Sequence, residues 1–156
     1  MCGIYGVAFA DPRPADEADL RRALAHPHVM IGSDGSSLAA EGPLATGKPH
    51  PRSYGTFPRV LGRYARDERV LSLESAVWKM TGLPARRLGL ADRGVLAPGA
   101  KADVVVFDPA TVADRATYED PHRYATGIGD VLVNGRVVIA DGAHTGALPG
   151  RVLRPA

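Results

Sequence analysis

Two runs of β-branched residues meet at Asn134-Gly135 in "VLVNGRVVIADG", residues 131–142. That dipeptide is the tightest constraint in the chain. A two-residue hairpin turn needs positive φ at both central positions, which Asn and Gly adopt at little cost. The flanking runs are rich in valine and isoleucine, so they are expected to pair as antiparallel strands. Another strand signal lies upstream in "DRGVLAPGAKADVVVFDP": a turn, an apolar run over 103–107, then Asp108-Pro109. The last third of the chain therefore reads as β-rich.

The earlier part follows a helical period. Asp16 is placed to cap a helix running to Leu24, with acids in its first turn and Arg21 and Arg22 toward its end, as the helix dipole favours. His26-Pro27-His28 stops it, because the residue before proline avoids the helical region. A short strand is expected over Val29–Ile31. Residues 35–55 form a long loop rich in Gly, Pro and Ser; loops of that length inside compact domains are often functional. Thr56 is expected to cap the next helix, whose Phe57, Val60, Leu61 and Tyr64 fall on one face. Ser72 caps a further helix with Leu73, Ala76, Val77 and Met80 as its apolar stripe, ending at Gly82 and Pro84. Trp78 lies beside that stripe and is expected in core or subdomain packing. "PARRLGL" adds a short helical turn.

A chain of 156 residues suits about one ordinary domain, and 45% hydrophobic content supports a core. The charges nearly balance, 19 basic against 17 acidic, and the arginines are scattered, so no nucleic-acid partner is expected. A single cysteine, Cys2, excludes an internal disulfide framework. There is no run of about 18 apolar residues, so no membrane span is expected. "MCGIYGVAFADPRP" lacks the basic start and long apolar core of a signal peptide, which makes a cytoplasmic location the expectation.

The stretch that points to chemistry is "VMIGSDGSSLA", residues 29–39. An apolar run drives into Asp34 between Gly32 and Gly35. Asp-Gly is ordinary turn chemistry, and it is equally a way to hold a carboxylate at the end of a strand. The residues alone leave both readings open.

Three stretches, "HPHVMIGSDGSS", "KPHPRSYGTFPRVLGRY" and "LSLESAVWKMTGLPARRLGL", resemble the D-aminoacylase branch of the amidohydrolase superfamily, the N-acyl-D-amino-acid deacylases. "GVLAPGAKADVVVFDP" and the Asn-Gly hairpin resemble the segment that closes amidohydrolases, and "DPHRY" and "DGAHTGALPGRVLR" resemble the tail of the same branch. The resemblance covers residues 16–154. It implies an α/β fold, the C-terminal fragment of a metal-dependent (β/α)8 barrel plus part of the small β-domain. Residues 1–15 would be an unmatched N-terminal stretch, 16–90 the last barrel strand with its helices, and 91–156 the β-rich end of the small domain. Val29–Ile31 would then be the eighth strand, with Asp34 at its C-terminal end, the catalytic face of such barrels.

The activity so implied is zinc-dependent hydrolysis of the amide bond of N-acyl-D-amino acids. Asp34 would contact the metal and act as general base, moving a proton from the metal-bound water to the departing amine. Arg52, in "HPRSYGTFPR", would take the substrate carboxylate on its guanidinium fork, with His50 in support. Gly32 and Gly35 would allow close approach. The remaining zinc ligands of the branch, a His-x-His pair and later His and Cys residues, have no counterpart here. His26-x-His28 has the spacing but is broken by Pro27 and reads as a turn. A barrel needs about 250 residues. The expectation is therefore a gene fragment, a misplaced start or half of a split enzyme, inactive alone, whose partners are a small N-acyl-amino acid and a separate chain supplying the N-terminal barrel. Acyl and side-chain preference would lie in loops outside these residues.

Two alternatives stand beside this. One is a non-catalytic remnant or partner-binding module sharing the fold. The other rests on "MCGIYGV", which resembles the start of class II glutamine amidotransferases, where removal of Met1 would leave Cys2 as an N-terminal nucleophile.

Overall fold

The computed structural model describes residues 16–153. The expectations placed on Cys2 and on residues 1–15 lie outside the described residues.

Helix α1, Glu17–Ala25, begins as its sequence dictates: Asp16 Oδ1 accepts from the Ala18 N–H at 3.1 Å. The turn at 26–28 follows. The expected strand at Val29–Ile31 does not form. A strand needs a ladder, and these amides bond elsewhere: Val29 N–H turns back to His26 O at 3.2 Å, and Ile31 N–H donates to Lys79 O at 3.1 Å. The segment runs extended and irregular into Asp34. The long loop follows, broken only by a 3-10 turn at Gly42–Leu44.

Helix α2, Arg52–Arg59, starts four residues before the expected cap at Thr56. Pro51 already has helical φ and ψ, −50° and −25°, and so seeds the first turn. Thr56 sits inside the helix and donates its hydroxyl to Arg52 O at 3.0 Å. Pro58 lies within α2, and the helix then widens into a π-helical segment, Val60–Asp67. Proline cannot donate to the ladder and crowds the preceding turn, so a change of helical register beside it is physically natural. The predicted face is real: Val60, Leu61 and Tyr64 are buried, while Phe57 stays partly exposed.

Ser72 caps α3, Leu73–Met80, by accepting from Ser75 N–H at 3.2 Å. Ala76 is fully buried, and Leu73, Val77 and Met80 pack against the core. Trp78 departs from expectation: it is 42% exposed, its ring lying along Gly82, where a Cβ would sit 2.1 Å from the indole. Helix α4, Gly82–Arg87, follows directly, with Pro84 in its first turn.

The β-rich third is one antiparallel sheet in the order β1-β2-β3-β4: Val104–Phe107, Ile128–Val133, Arg136–Ala140 and Ala143–His144. Asn134 and Gly135 take φ of 49° and 77°, as the hairpin turn requires. The sheet is tied to the helices through the segment after β1. Val112 has no exposed surface, and its carbonyl comes so close to Gly62 that a Cβ there would lie 2.5 Å away. Arg66 Nη1 donates to the same carbonyl at 2.7 Å.

Candidate functional site

Asp34 and Arg52, 18 residues apart, are brought together. Arg52 Nη2 lies 3.0 Å from Asp34 Oδ2, and Arg52 Nε donates to the Asp34 backbone carbonyl at 3.2 Å. One guanidinium thus holds both the main chain and the side chain of the same residue. Asp34 has φ of 48°, in the left-handed region that Asp tolerates better than most residues. Ser33 Oγ accepts from Gly35 N–H at 3.2 Å across this turn. Gly35 allows a close approach: a Cβ there would stand a tight 3.1 Å from Ser53 Cα, in the first turn of α2. The pair is open to solvent, with side-chain exposures of 55% for Asp34 and 45% for Arg52. Exposed pairs contribute about 0–1 kcal/mol to stability; what this one supplies is orientation.

His50 is fixed from both ring nitrogens. Its Nδ1 accepts from Arg52 N–H at 3.0 Å, which leaves Nε2 as the protonated nitrogen facing Tyr118 Oη at 2.9 Å. His50 thus meets the backbone N–H of Arg52 and not its guanidinium. Sequence reading missed the residues behind His50. Tyr54 Oη donates to Ala39 O at 2.8 Å and lies 3.0 Å from His122 Nδ1, while His122 Nε2–H donates to Gly47 O at 2.9 Å. Tyr124 Oη accepts from Ala40 N–H at 3.0 Å. Burial, followed by the neighbouring Tyr124, pushes the Tyr54 phenol above its ordinary pKa, which keeps it a donor. Segment 118–124 thereby fastens the long loop. The partners are up to 84 residues apart, and no local pattern reports such pairings.

His26 and His28 form the expected turn, with their rings edge to face at 5.7 Å. A zinc site needs three or four converging ligands, and no group of three or more His, Cys, Asp or Glu side chains converges in that way among the described residues. Asp34 is at most one ligand of such a site, so these residues do not make a metal centre by themselves. Beside Arg52 opens a largely apolar cleft of about 710 Å3, walled by Leu20, Leu24, Met30, Ile31 and Val60.

A family model described as "Amidohydrolase family" matches residues 6–139. The chain belongs to the amidohydrolase family. Among amidohydrolases, it is 56% identical over 138 residues to a D-aminoacylase of Alcaligenes xylosoxydans xylosoxydans, covering 88% of this chain and 27% of that protein. It superposes on a D-aminoacylase crystal structure with a TM-score of 0.81 at 55% identity, over 89% of this chain and 28% of that one. A structure of N-acyl-D-glutamate deacylase from Bordetella Bronchiseptica, complexed with zinc and a phosphonate inhibitor, matches with a TM-score of 0.71 at 50% identity, over 90% and 27% of the two chains. The resemblance read from the sequence is upheld at high identity, and the chain spans less than a third of the relatives it matches. The described residues show helices and a small antiparallel sheet of that fold. Among them no helix is long and apolar enough to cross a membrane.

Proposed function

We propose that this chain supplies the C-terminal part of an N-acyl-D-amino-acid deacylase, a zinc-dependent amide hydrolase, and that polypeptide outside these 156 residues supplies the rest of the site. The observation that carries it is the Asp34 carboxylate, exposed at the end of the extended segment that follows the 26–28 turn, with Arg52 holding both that carboxylate and the backbone carbonyl of the same residue. Two apolar clefts, of about 710 and 720 Å3, give added support as surfaces that further polypeptide would cover.

The chemistry assigned to this chain is proton handling and carboxylate binding. Amide hydrolysis adds water to the carbonyl carbon and breaks the C–N bond. One proton must leave the water, and the departing nitrogen must gain one. A carboxylate within hydrogen-bond reach performs both transfers in turn, and Asp34 is the group for it. Arg52 spends Nε and Nη2 on Asp34. Its Nη1 edge is left to take a substrate carboxylate, so one guanidinium would set the distance between the bound substrate and the base. The zinc is assigned to a site completed by ligands outside this chain.

The test is reconstitution. The purified chain with zinc should not release amino acid from N-acetyl-D-amino acids. Mixed with the complementary N-terminal polypeptide of a D-aminoacylase, it should. Asp34→Asn should then lower kcat by about 10²–10⁴-fold, and Arg52→Lys should chiefly raise KM. Turnover by the chain alone, or full activity of Asp34→Asn in the mixture, would refute the proposal. A mixture that assembles but stays inactive would favour the non-catalytic partner-binding reading.

A further inference from the structure

Lys79 is a buried cation that the chemistry above does not use. It lies in the last turn of α3 with 4% of its surface exposed. Its ammonium makes no ion pair among the described residues. It donates instead to the backbone carbonyl of His26 and, at 3.2 Å, to that of Val29. Burial pushes its pKa below the ordinary lysine value. Burying a charge without an opposite charge is unfavourable, and a methionine would fill similar space without that cost. The donors of this residue, not its bulk, distinguish it from an apolar side chain.

Both carbonyls belong to one turn. Val29 N–H closes it onto His26 O at 3.2 Å, so the ammonium bridges its two ends. The backbone of the same lysine then takes the Ile31 N–H at 3.1 Å. One residue thus pins segment 26–31 to α3 at three points. Asp34 lies three residues beyond the last of them, where Arg52 grips it from α2.

We propose that Lys79 is a positioning residue for Asp34: by clamping the His26–Val29 turn onto α3 it sets where the extended segment leaves the core, and so where the carboxylate meets Arg52. The site is then held from two helices, with Lys79 fixing the approach and Arg52 fixing the end. The inference deepens the reading of Asp34 as the proton-handling group and rests on it for its catalytic meaning.

The experiment uses the 15N-labelled chain and reads geometry without turnover. Lys79→Met removes the donors. Lys79→Arg restores them. Leu24→Ala opens the same core without touching the turn carbonyls. The signals are the amides of Ser33, Asp34 and Gly35 and the Nε–H of Arg52. Lys79→Met should move these at least threefold further than Leu24→Ala does, while the hairpin amides of β2 and β3 stay in place, and Lys79→Arg should return them. Should Lys79→Met not fold, Lys79→Leu, which also removes the donors, takes its place in the same comparison. Equal movement in Leu24→Ala, no movement in the variant that lacks the donors, or a folded Lys79→Arg that fails to restore the signals would each overturn the proposal. An inactive reconstituted enzyme would count against the deacylase reading and leave these spectra to judge Lys79.

Discussion

The helical stretch and the sheet reach burial to different depths. Leu24, Val60, Leu61, Tyr64, Ala65, Leu71 and Ala76, all from the helical stretch, make the core, and the one residue that joins them from the β-rich third is Val112, which lies on a connection. No residue of β1 to β4 is fully buried, and Val105 and Val106 of β1 are each 51% exposed. Only Phe107 and Ile128 lean from the strands onto the core. The helices are amphipathic and close on one another. The sheet is apolar on surfaces that nothing described here covers, and an edge strand such as β1 is a ready template for pairing. Local turn chemistry specifies the sheet; mutual burial stabilises the helices.

That contrast predicts unequal costs for equal truncations. Leu61→Ala removes a side chain with 8% exposure and should cost about 2–5 kcal/mol. Val105→Ala, half exposed, should cost about 1 kcal/mol or less. Urea unfolding of the two variants reads both values. Similar losses would break the comparison. A Val105 loss that grows only when the complementary polypeptide is bound would sharpen it, since the sheet would then have found its missing cover.

The same contrast explains what could be read from the sequence. The Asn134-Gly135 hairpin, the Asp16 and Ser72 caps and the apolar stripes of the π-helical segment and α3 were legible because each is encoded within a few residues. The missing strand at 29–31 was not, because a strand depends on partners that the period of its own residues does not reveal. Thr56 misled because Pro51 could seed the helix earlier, and Trp78 because an apolar residue beside a stripe has no local mark of exposure. Asp34 and Arg52 were singled out from motifs, and the fold brings the two together. Tyr54, Tyr118, His122 and Lys79 act through pairings about 50 to 70 residues apart, and only coordinates show them.

If turn chemistry holds the sheet, damage to the turn should stay local. Gly135 has φ of 77°, and an alanine there would pay the left-handed penalty of about 1–2 kcal/mol. Hydrogen exchange should speed up in β2 and β3 of Gly135→Ala by roughly the five- to thirtyfold that this energy implies, with the amides of the π-helical segment unchanged. Equal acceleration in the helices would mean that the two regions unfold together and that the division drawn from burial is not a division in stability.

The smallest effect should appear on the helical surface, in acid. Glu68 accepts from Arg63 Nε at 2.7 Å and from Arg21 Nε at 2.9 Å, joining α1 to the end of the π-helical segment. These bonds, Arg63's first, hold its carboxyl below the ordinary value near 4.5. The folded chain therefore binds fewer protons than the unfolded chain just below that pH, and stability falls as pH falls through the folded pKa. Above the ordinary value the contribution is complete. Glu68→Gln should flatten this part of the acid limb in thermal melts between pH 6 and about 3, while the exchange of the hairpin amides over the same range stays as in the parent chain. The group is on the surface, so salt should shrink the difference. An acid limb unchanged by Glu68→Gln would move the pH sensitivity to the other lowered carboxyls. Asp108 would come first, held by Ala110 N–H and the Thr111 hydroxyl just after β1, which would place the acid-labile point at the junction with the sheet.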